Sequence, residues 1–165
     1  MEAYIDAARD LSHPDSKGHS GICARLGKRK TAPFHFSSTK QNLVTRSANE
    51  AEIFAIDKGS LDIQWIRQML EFLQCKQMEP TVIYEDNEAS IGMLTGKTNL
   101  GTKSKHIKWR YNYALQTIAE NTTKLQWINT EKQIADILTK KHFTNKQFYF
   151  LRSEILNCEN NKTGL

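Results

Sequence analysis

Four acidic residues are spread along this chain where strands end or helices begin: Asp6, Glu52, Asp86 and Asp136. Hard divalent cations such as Mg²⁺ prefer carboxylate oxygens, and two such ions can drive phosphodiester hydrolysis where several carboxylates converge. Asp6 closes Ala-Tyr-Ile-Asp, Asp86 closes Thr-Val-Ile-Tyr-Glu-Asp, and Asp136 lies in Gln-Ile-Ala-Asp-Ile-Leu-Thr-Lys. The chain around them is basic, which suits a phosphate substrate. The pattern points first to a metal-dependent nuclease.

Each acid has a competing, plainer role. Asp6 precedes Ala7 and Ala8, small enough to let a ligand approach, but a lone Asp after a strand is also an ordinary turn residue. Glu50 and Glu52 are two apart, so one helix cannot aim both at one site. Ser47 and Glu50 have the spacing of a capping box, which gives Glu50 a task of its own. Glu52, one residue before Ile53 and four before Ile56, is left facing the sheet. Asp86 ends an apolar strand, where open α/β sheets bind ligands, although it could instead cap the next helix, as could Asn87. Asp136 sits between Ile134 and Ile137, and a carboxylate on an apolar face is normally paired or liganded. Asp10, Glu85, Glu88 and Glu131 read as solvated.

The elements that must position these acids follow from hydrophobic period and turn chemistry. Strands are expected over 2–6, 20–26 and 33–37, with a polar turn through 12–18 and a basic turn, Gly27-Lys28-Arg29-Lys30. A long helix starts at Ser47, with Ile53, Ile56, Ile63, Ile66, Leu70 and Leu73 as its buried stripe. Gly59 interrupts it at a cost near ~1 kcal/mol relative to Ala, so a kink or close packing is expected there. A strand over 81–84, a short helix from Asp86-Asn87 to about Leu94, and a Gly/Thr/Lys-rich loop over 95–105 come next. A helix near 106–120, a strand over 125–128, a short helix around 132–139 and a last one near 144–157 complete the chain. Core packing is the expected role of Trp65 and Trp127. A strand reached through a long helix lies parallel to its neighbour, which makes this a mixed α/β sheet.

With 165 residues, 39% apolar and 25% charged, the chain reads as one domain over 1–157 and a tail over 158–165. Net charge is 23 − 18 = +5 and the pI about 9.1, which favours a polyanion partner, although a solvated basic surface gives the same balance. Cys23, Cys75 and Cys158 are too scattered for a disulfide framework or a zinc site and fit a reducing compartment. No apolar run approaches the ~18 residues of a membrane span. The first residues lack the basic and apolar regions of a signal peptide. An intracellular protein, cytoplasmic or nuclear, with no membrane partner, is expected.

At these same residues the chain resembles the ribonuclease H domain of copia-type LTR retrotransposon Pol polyproteins. The resemblance runs from about Tyr4 to Lys141. It rests on Tyr4-Ile-Asp-Ala, Ser12-His-Pro-Asp-Ser-Lys, Ser37-Ser-Thr-Lys-Gln, Ser47-Ala-Asn-Glu-Ala-Glu-Ile, Pro80-Thr-Val-Ile-Tyr-Glu-Asp-Asn-Glu-Ala-Ser-Ile, Thr102-Lys-Ser-Lys-His-Ile-Lys-Trp-Arg-Tyr and Gln133-Ile-Ala-Asp-Ile-Leu-Thr-Lys. It implies a ribonuclease H-like α/β fold, a five-stranded mixed sheet flanked by helices whose first three strands are antiparallel. It implies a catalytic, metal-binding set of Asp6, Glu52, Asp86 and Asp136 holding two Mg²⁺ ions, for which Mn²⁺ can stand in. Asp6 would bridge the ions, with Glu52 and Asp86 on the leaving-group side and Asp136 on the other.

The implied reaction is hydrolysis of the RNA strand of an RNA–DNA hybrid during reverse transcription, leaving a 3′-hydroxyl. Hybrid would be read by its backbone and minor groove rather than by sequence. Candidate nucleic-acid contacts are Ser37, Ser38, Asn87, Lys105, His106, Arg110 and Gln133. Many ribonucleases H carry a His shortly before the last Asp, but residues 128–135 contain none. Few residues precede Tyr4, so a stunted first strand is expected. The family's domain follows a reverse transcriptase in its polyprotein, the implied partner. A catalytically silent domain that binds nucleic acid or protein is the alternative. A DNA-cutting transposase core would need a Glu as its late acid, and the late acid here is Asp136.

Overall fold

Ala3 and Ile5 point to one side of the first strand, Tyr4 and Asp6 to the other, and this alternation divides the interior into two cores. The computed structural model describes residues 1–9, 16–27, 31–97 and 108–158, with side chains in the third helix from Asn112 onward. Strands β1 (Glu2–Ala8), β2 (His19–Arg25) and β3 (Pro33–Lys40) form an antiparallel meander, with Ile5 opposite Ile22 and Ile22 opposite Ser37. Helix α1 (Ala48–Phe72) crosses over to β4 (Thr81–Glu85), which lies parallel to β1 with Tyr84 beside Tyr4. Helices α2 (Glu88–Leu94) and α3 (Lys108–Ala119) lead to β5 (Thr123–Trp127), parallel to β4. Two 3₁₀ turns, Thr130–Lys132 and Ile134–Leu138, and helix α4 (Asn145–Leu156) follow.

The sheet order is β3-β2-β1-β4-β5, a mixed five-stranded sheet with helices on both faces. On one face Ile53, Ile56, Ile63 and Ile66 of α1 pack on Ile5, Ile22 and Ile83. On the other, Tyr4 and Cys23 meet Ile134 of the second 3₁₀ turn and Leu151 of α4.

Four expectations need correction. The first strand is not stunted: it has seven residues and pairs with β2 along its whole length. The segment around 132–139 is two 3₁₀ turns, not one helix. Leu73 does not continue the buried stripe; it is the C-cap of α1 and is exposed. Trp65 and Trp127, expected in the core, are 58% and 50% exposed. At 100° per residue, Ile63, Ile66 and Leu70 take the positions facing the sheet, and Trp65 falls on the water side. Trp127 ends β5, an edge strand with a neighbour on one side only. Residues 12–15 of the expected polar turn, Lys28–Lys30, residues 98–107, Asp10 and residues 159–165 lie outside the described residues.

Gly59 resolves to close packing. A Cβ built there would lie 2.3 Å from Ile5 Cδ1 and 3.1 Å from Ile5 Cγ1, so α1 approaches β1 closely only because the side chain is a hydrogen. Gly59→Ala is expected to lose about 1–2 kcal/mol in urea unfolding, because overpacking outweighs the gain in helix propensity. Ile5→Val removes the clashing methyl, so the double variant should recover much of that loss. Additive losses would mean that the close approach is not what selects glycine.

Candidate metal centre

Parallel strands in one sheet end on the same side, so β1 and β4 bring Asp6 and Asp86 together at their carboxyl ends. Glu52 joins them from the first turns of α1, and Asp136 from the second 3₁₀ turn. One carboxylate oxygen each from Asp6, Asp86 and Asp136 lies within 4.8 Å of the other two. A second group, Glu52, Glu85 and Asp86, meets the same limit. Oxygens around one octahedral Mg²⁺ stand about 3–4 Å apart, so each group needs only a small contraction to hold an ion. Asp86, half-buried at the mouth, is the member common to both groups, the place that the resemblance gave to Asp6.

The capping box explains why Glu52 is the helix residue that arrives. Ser47 Oγ accepts from the Glu50 amide at 3.1 Å, and Glu50 Oε2 accepts from the Arg46 amide at 2.7 Å, one residue earlier than the expected partner. That holds Glu50 at the helix start while Glu52 points to the sheet. Glu85 corrects the expectation of a solvated side chain, for it is 0% exposed. Thr81, Ile83 and Glu85 alternate on the buried face of β4, and a glutamate at a core position was the signal that could have found it.

Burial sets the electrostatics. It pushes the Glu52 carboxyl well above its usual range, and the neighbouring charges of Glu85, Asp6 and Asp86 add to the rise. Burial likewise raises Glu85 well above that range, against a hydrogen bond from the Asn87 amide. Asp136 is raised to about 7, by burial first and by Asp6 next. Asp6 is raised by burial, although Lys140 and a hydrogen bond from the Thr139 hydroxyl work against the rise. Lys140 Nζ donates to Asp136 Oδ2 at 2.7 Å. Burial would lower the Lys140 pKa, but that hydrogen bond and the surrounding carboxylates outweigh it and raise it.

Glu52 Oε2, Glu85 Oε2 and Asp136 Oδ1 are buried and have no hydrogen-bond partner among the described residues. Unpartnered buried carboxylate oxygens are costly. A divalent cation would satisfy them, so the donor set fits the metal that the resemblance implies.

No family model matches the chain. The Retrovirus-related Pol polyprotein from transposon RE2 of Arabidopsis thaliana is 31% identical over 140 residues, covering 85% of this chain and 9% of that protein. Its counterpart from transposon TNT 1-94 of Nicotiana tabacum is 29% identical over 161 residues, 98% of this chain and 12% of that protein. Among solved structures, LC11-RNase H1 in complex with RNA/DNA hybrid superposes with a TM-score of 0.63 at 18% identity, over 84% of this chain and 92% of that one. The chain is a homologue of transposon Pol polyproteins with a ribonuclease H fold. It spans about a tenth of the length of the curated relatives that it matches.

Within this ribonuclease H fold the expected nucleic-acid contacts fare differently. Asn87 adjoins the carboxylates as N-cap of α2, its side chain accepting from the Ala89 and Ser90 amides. Ser37 and Ser38 lie on β3, two strands from Asp6. Gly21 sits between Asp6 and Ser38 in the register, and Ser38 Oγ donates to Leu138 O at 2.6 Å. Lys105 and His106 lie outside the described residues, and of Arg110 only the backbone, in α3, is described.

The structure buries Gln133, where a surface contact was expected: it is 0% exposed and spends its amide on backbone groups. Sequence reasoning gave no role to Thr139 and Lys140, which stand three and four residues after Asp136 and so return to it across one helical turn. It also missed the Trp127 indole, which donates to Asp86 O at 3.2 Å. No described helix is long and apolar enough to cross a membrane.

Proposed function

We propose that this domain is a Mg²⁺-dependent endonuclease that hydrolyses the RNA strand of RNA–DNA hybrids during reverse transcription, as part of a retrotransposon Pol polyprotein. The observation that carries the reading is the convergence of five carboxylates in two overlapping groups, four of them buried and three with a buried oxygen that has no hydrogen-bond partner among the described residues. The fold shared with a protein solved on RNA/DNA hybrid, and homology to Pol polyproteins over most of this chain, support the substrate and the setting. The small share of those polyproteins that is matched supports work beside other segments, a reverse transcriptase among them.

Asp6, Asp86 and Asp136 would hold one ion and Glu52, Glu85 and Asp86 the other. Bound there, divalent cations supply Lewis acidity at the attacked phosphate and at its attacking and leaving oxygens. The shared place of Asp86 favours it over Asp6 as the ligand common to both ions. The Thr139 hydroxyl fixes one oxygen of Asp6, and the Lys140 ammonium fixes one of Asp136, so each carboxylate keeps a defined orientation. The buried walls of the site keep bulk water from screening these charges.

The test is cleavage of end-labelled RNA–DNA hybrid by the purified protein. Cleavage of the RNA strand is expected with Mg²⁺ or Mn²⁺ and none with a chelator. Asp6→Asn should cut about 10²–10³-fold more slowly. A folded parent that leaves hybrid intact with either ion would sink the proposal, as would equal rates for parent and variant.

A further inference from the structure

The hydrogen-bond ladder between β1 and β4 stops two residues before Asp6 and Asp86. The two strands pair in parallel through Glu2–Val82, Ala3–Ile83 and Tyr4–Tyr84, and no pair follows. Asp6 and Asp86 both lie beyond that point, so the ladder does not set the distance between them. A side chain takes its place. Gln133 Nε2 donates to Ile5 O at 2.8 Å and to Tyr84 O at 3.3 Å, joining the two strands where their own pairing ends. Its Oε1 accepts from the Ala135 amide at 3.4 Å, and its own carbonyl accepts from the Asp136 amide at 3.2 Å.

Each partner of Gln133 is a near neighbour of a site carboxylate. Ile5 and Ala135 directly precede Asp6 and Asp136, and Tyr84 is two residues before Asp86. One primary amide therefore ties together the backbone roots of all three members of the first carboxylate group. It is fully buried, so it has no competing water. A Leu or Met of similar size could fill the space, but neither could donate to two carbonyls.

We propose that Gln133 is the positioning residue that spaces Asp6, Asp86 and Asp136, and thereby sets how tightly this group holds a divalent cation. The proposal rests on the reading of the site as a metal centre. Groups that orient metal ligands from outside the coordination shell typically alter metal affinity by about 10–100-fold. Gln133 reaches three ligand-bearing segments at once, so an effect of that size is expected.

The measurement is Mn²⁺ binding to the metal-free protein, read by electron paramagnetic resonance of free Mn²⁺ and by calorimetric Mg²⁺ titration, for parent, Gln133→Met and Gln133→Asn. Gln133→Met keeps the volume and removes the donor. Gln133→Asn keeps the polarity and removes the reach, so it covers the case in which Met does not fold. Thr117→Val is the matched control, since it deletes a buried hydroxyl bonded to Ala114 O and Thr123 near the start of β5, away from the site.

Both Gln133 variants should bind about 10–100-fold more weakly. Their cleavage of hybrid should need correspondingly more Mg²⁺, with KM for hybrid unchanged and the rate largely restored at saturating ion. Thr117→Val should lose stability alone. Folded Gln133 variants with parental ion affinity would overturn the proposal and leave the metal centre standing. A parent that binds neither ion would sink the metal reading and this proposal with it.

Discussion

On the proposed reading, Asp86→Asn should slow hybrid cleavage by about 10³-fold or more, the largest loss at any single carboxylate, because Asp86 is the member common to both carboxylate groups. It should do so without unfolding the protein. Asp86 is only half-buried, and Asn has nearly the same shape. Its negative charge is also one of the influences that raise the pKa values of Asp6, Glu52, Glu85 and Asp136. Removing it relieves repulsion in the metal-free state, so the variant should unfold in urea with chelator at the same or higher midpoint, by up to about 2 kcal/mol. Activity and stability then move in opposite directions, which a residue kept for packing cannot produce. Single-turnover cleavage and urea unfolding check the two halves, with Glu88→Gln, exposed two residues away, as the control for charge alone. A variant that cleaves within tenfold of the parent would remove Asp86 from its central place.

The same opposition explains which parts of the site could be read in the sequence. Asp6 and Asp86 were visible because each closes an apolar strand, and Asp136 because it interrupts an apolar face, local signals that survive without knowledge of tertiary neighbours. Glu52 was separated from Glu50 by a cap, also a local device, and the structure keeps Glu50 on the Arg46 amide. Glu85 was missed although its signal was equally local: it shares strand parity with Ile83, but a charge beside Asp86 reads as solvated unless parity is weighed first.

Gln133 was misread for a different reason. Its partners, Ile5 and Tyr84, are 128 and 49 residues away, and nothing near Gln133 in the chain distinguishes an amide that closes a gap in a sheet from one that faces a ligand. Trp65 and Trp127 failed because placement on a helix and a strand suggested the core, and helix phase and edge position overrule it. The mixed character of the sheet was legible through connection length, as a long helix between β3 and β4 forbids a hairpin and permits a parallel pair.

The metal-free protein should melt at a higher temperature at pH 5 than at pH 8, and Mg²⁺ should narrow or reverse the difference. The carboxyls of Glu52 and Glu85 are raised well above 4.5, and that of Asp136 from 3.8 to about 7, with burial the first cause in each. A group whose folded pKa is raised keeps its proton in the folded state after the unfolded chain has lost it. Its favourable contribution is complete below the unfolded value and disappears as pH rises through the folded one. At pH 5 Asp136 is still largely protonated in the fold, and burial lets Glu52 and Glu85 hold their protons to higher pH than in the unfolded chain. At pH 8 Asp136 is ionised and the cluster carries mutually repelling buried charge. Lys140 offsets part of this on the Asp6–Asp136 side, where its ammonium donates to Asp136.

Divalent cations bind the ionised form, so their stabilising effect must grow across the same interval. At a hundredfold excess over the dissociation constant, binding adds about 2.7 kcal/mol, a rise of about 5–10 °C for a chain of this size. Thermal melts from pH 5 to 8 with chelator or Mg²⁺ measure both trends, and Glu52→Gln, which removes one ionising group, should flatten the chelator curve. A chelator curve that rises with pH, or a Mg²⁺ shift equal at both ends, would mean that the buried carboxylates do not act as one charged site awaiting a cation.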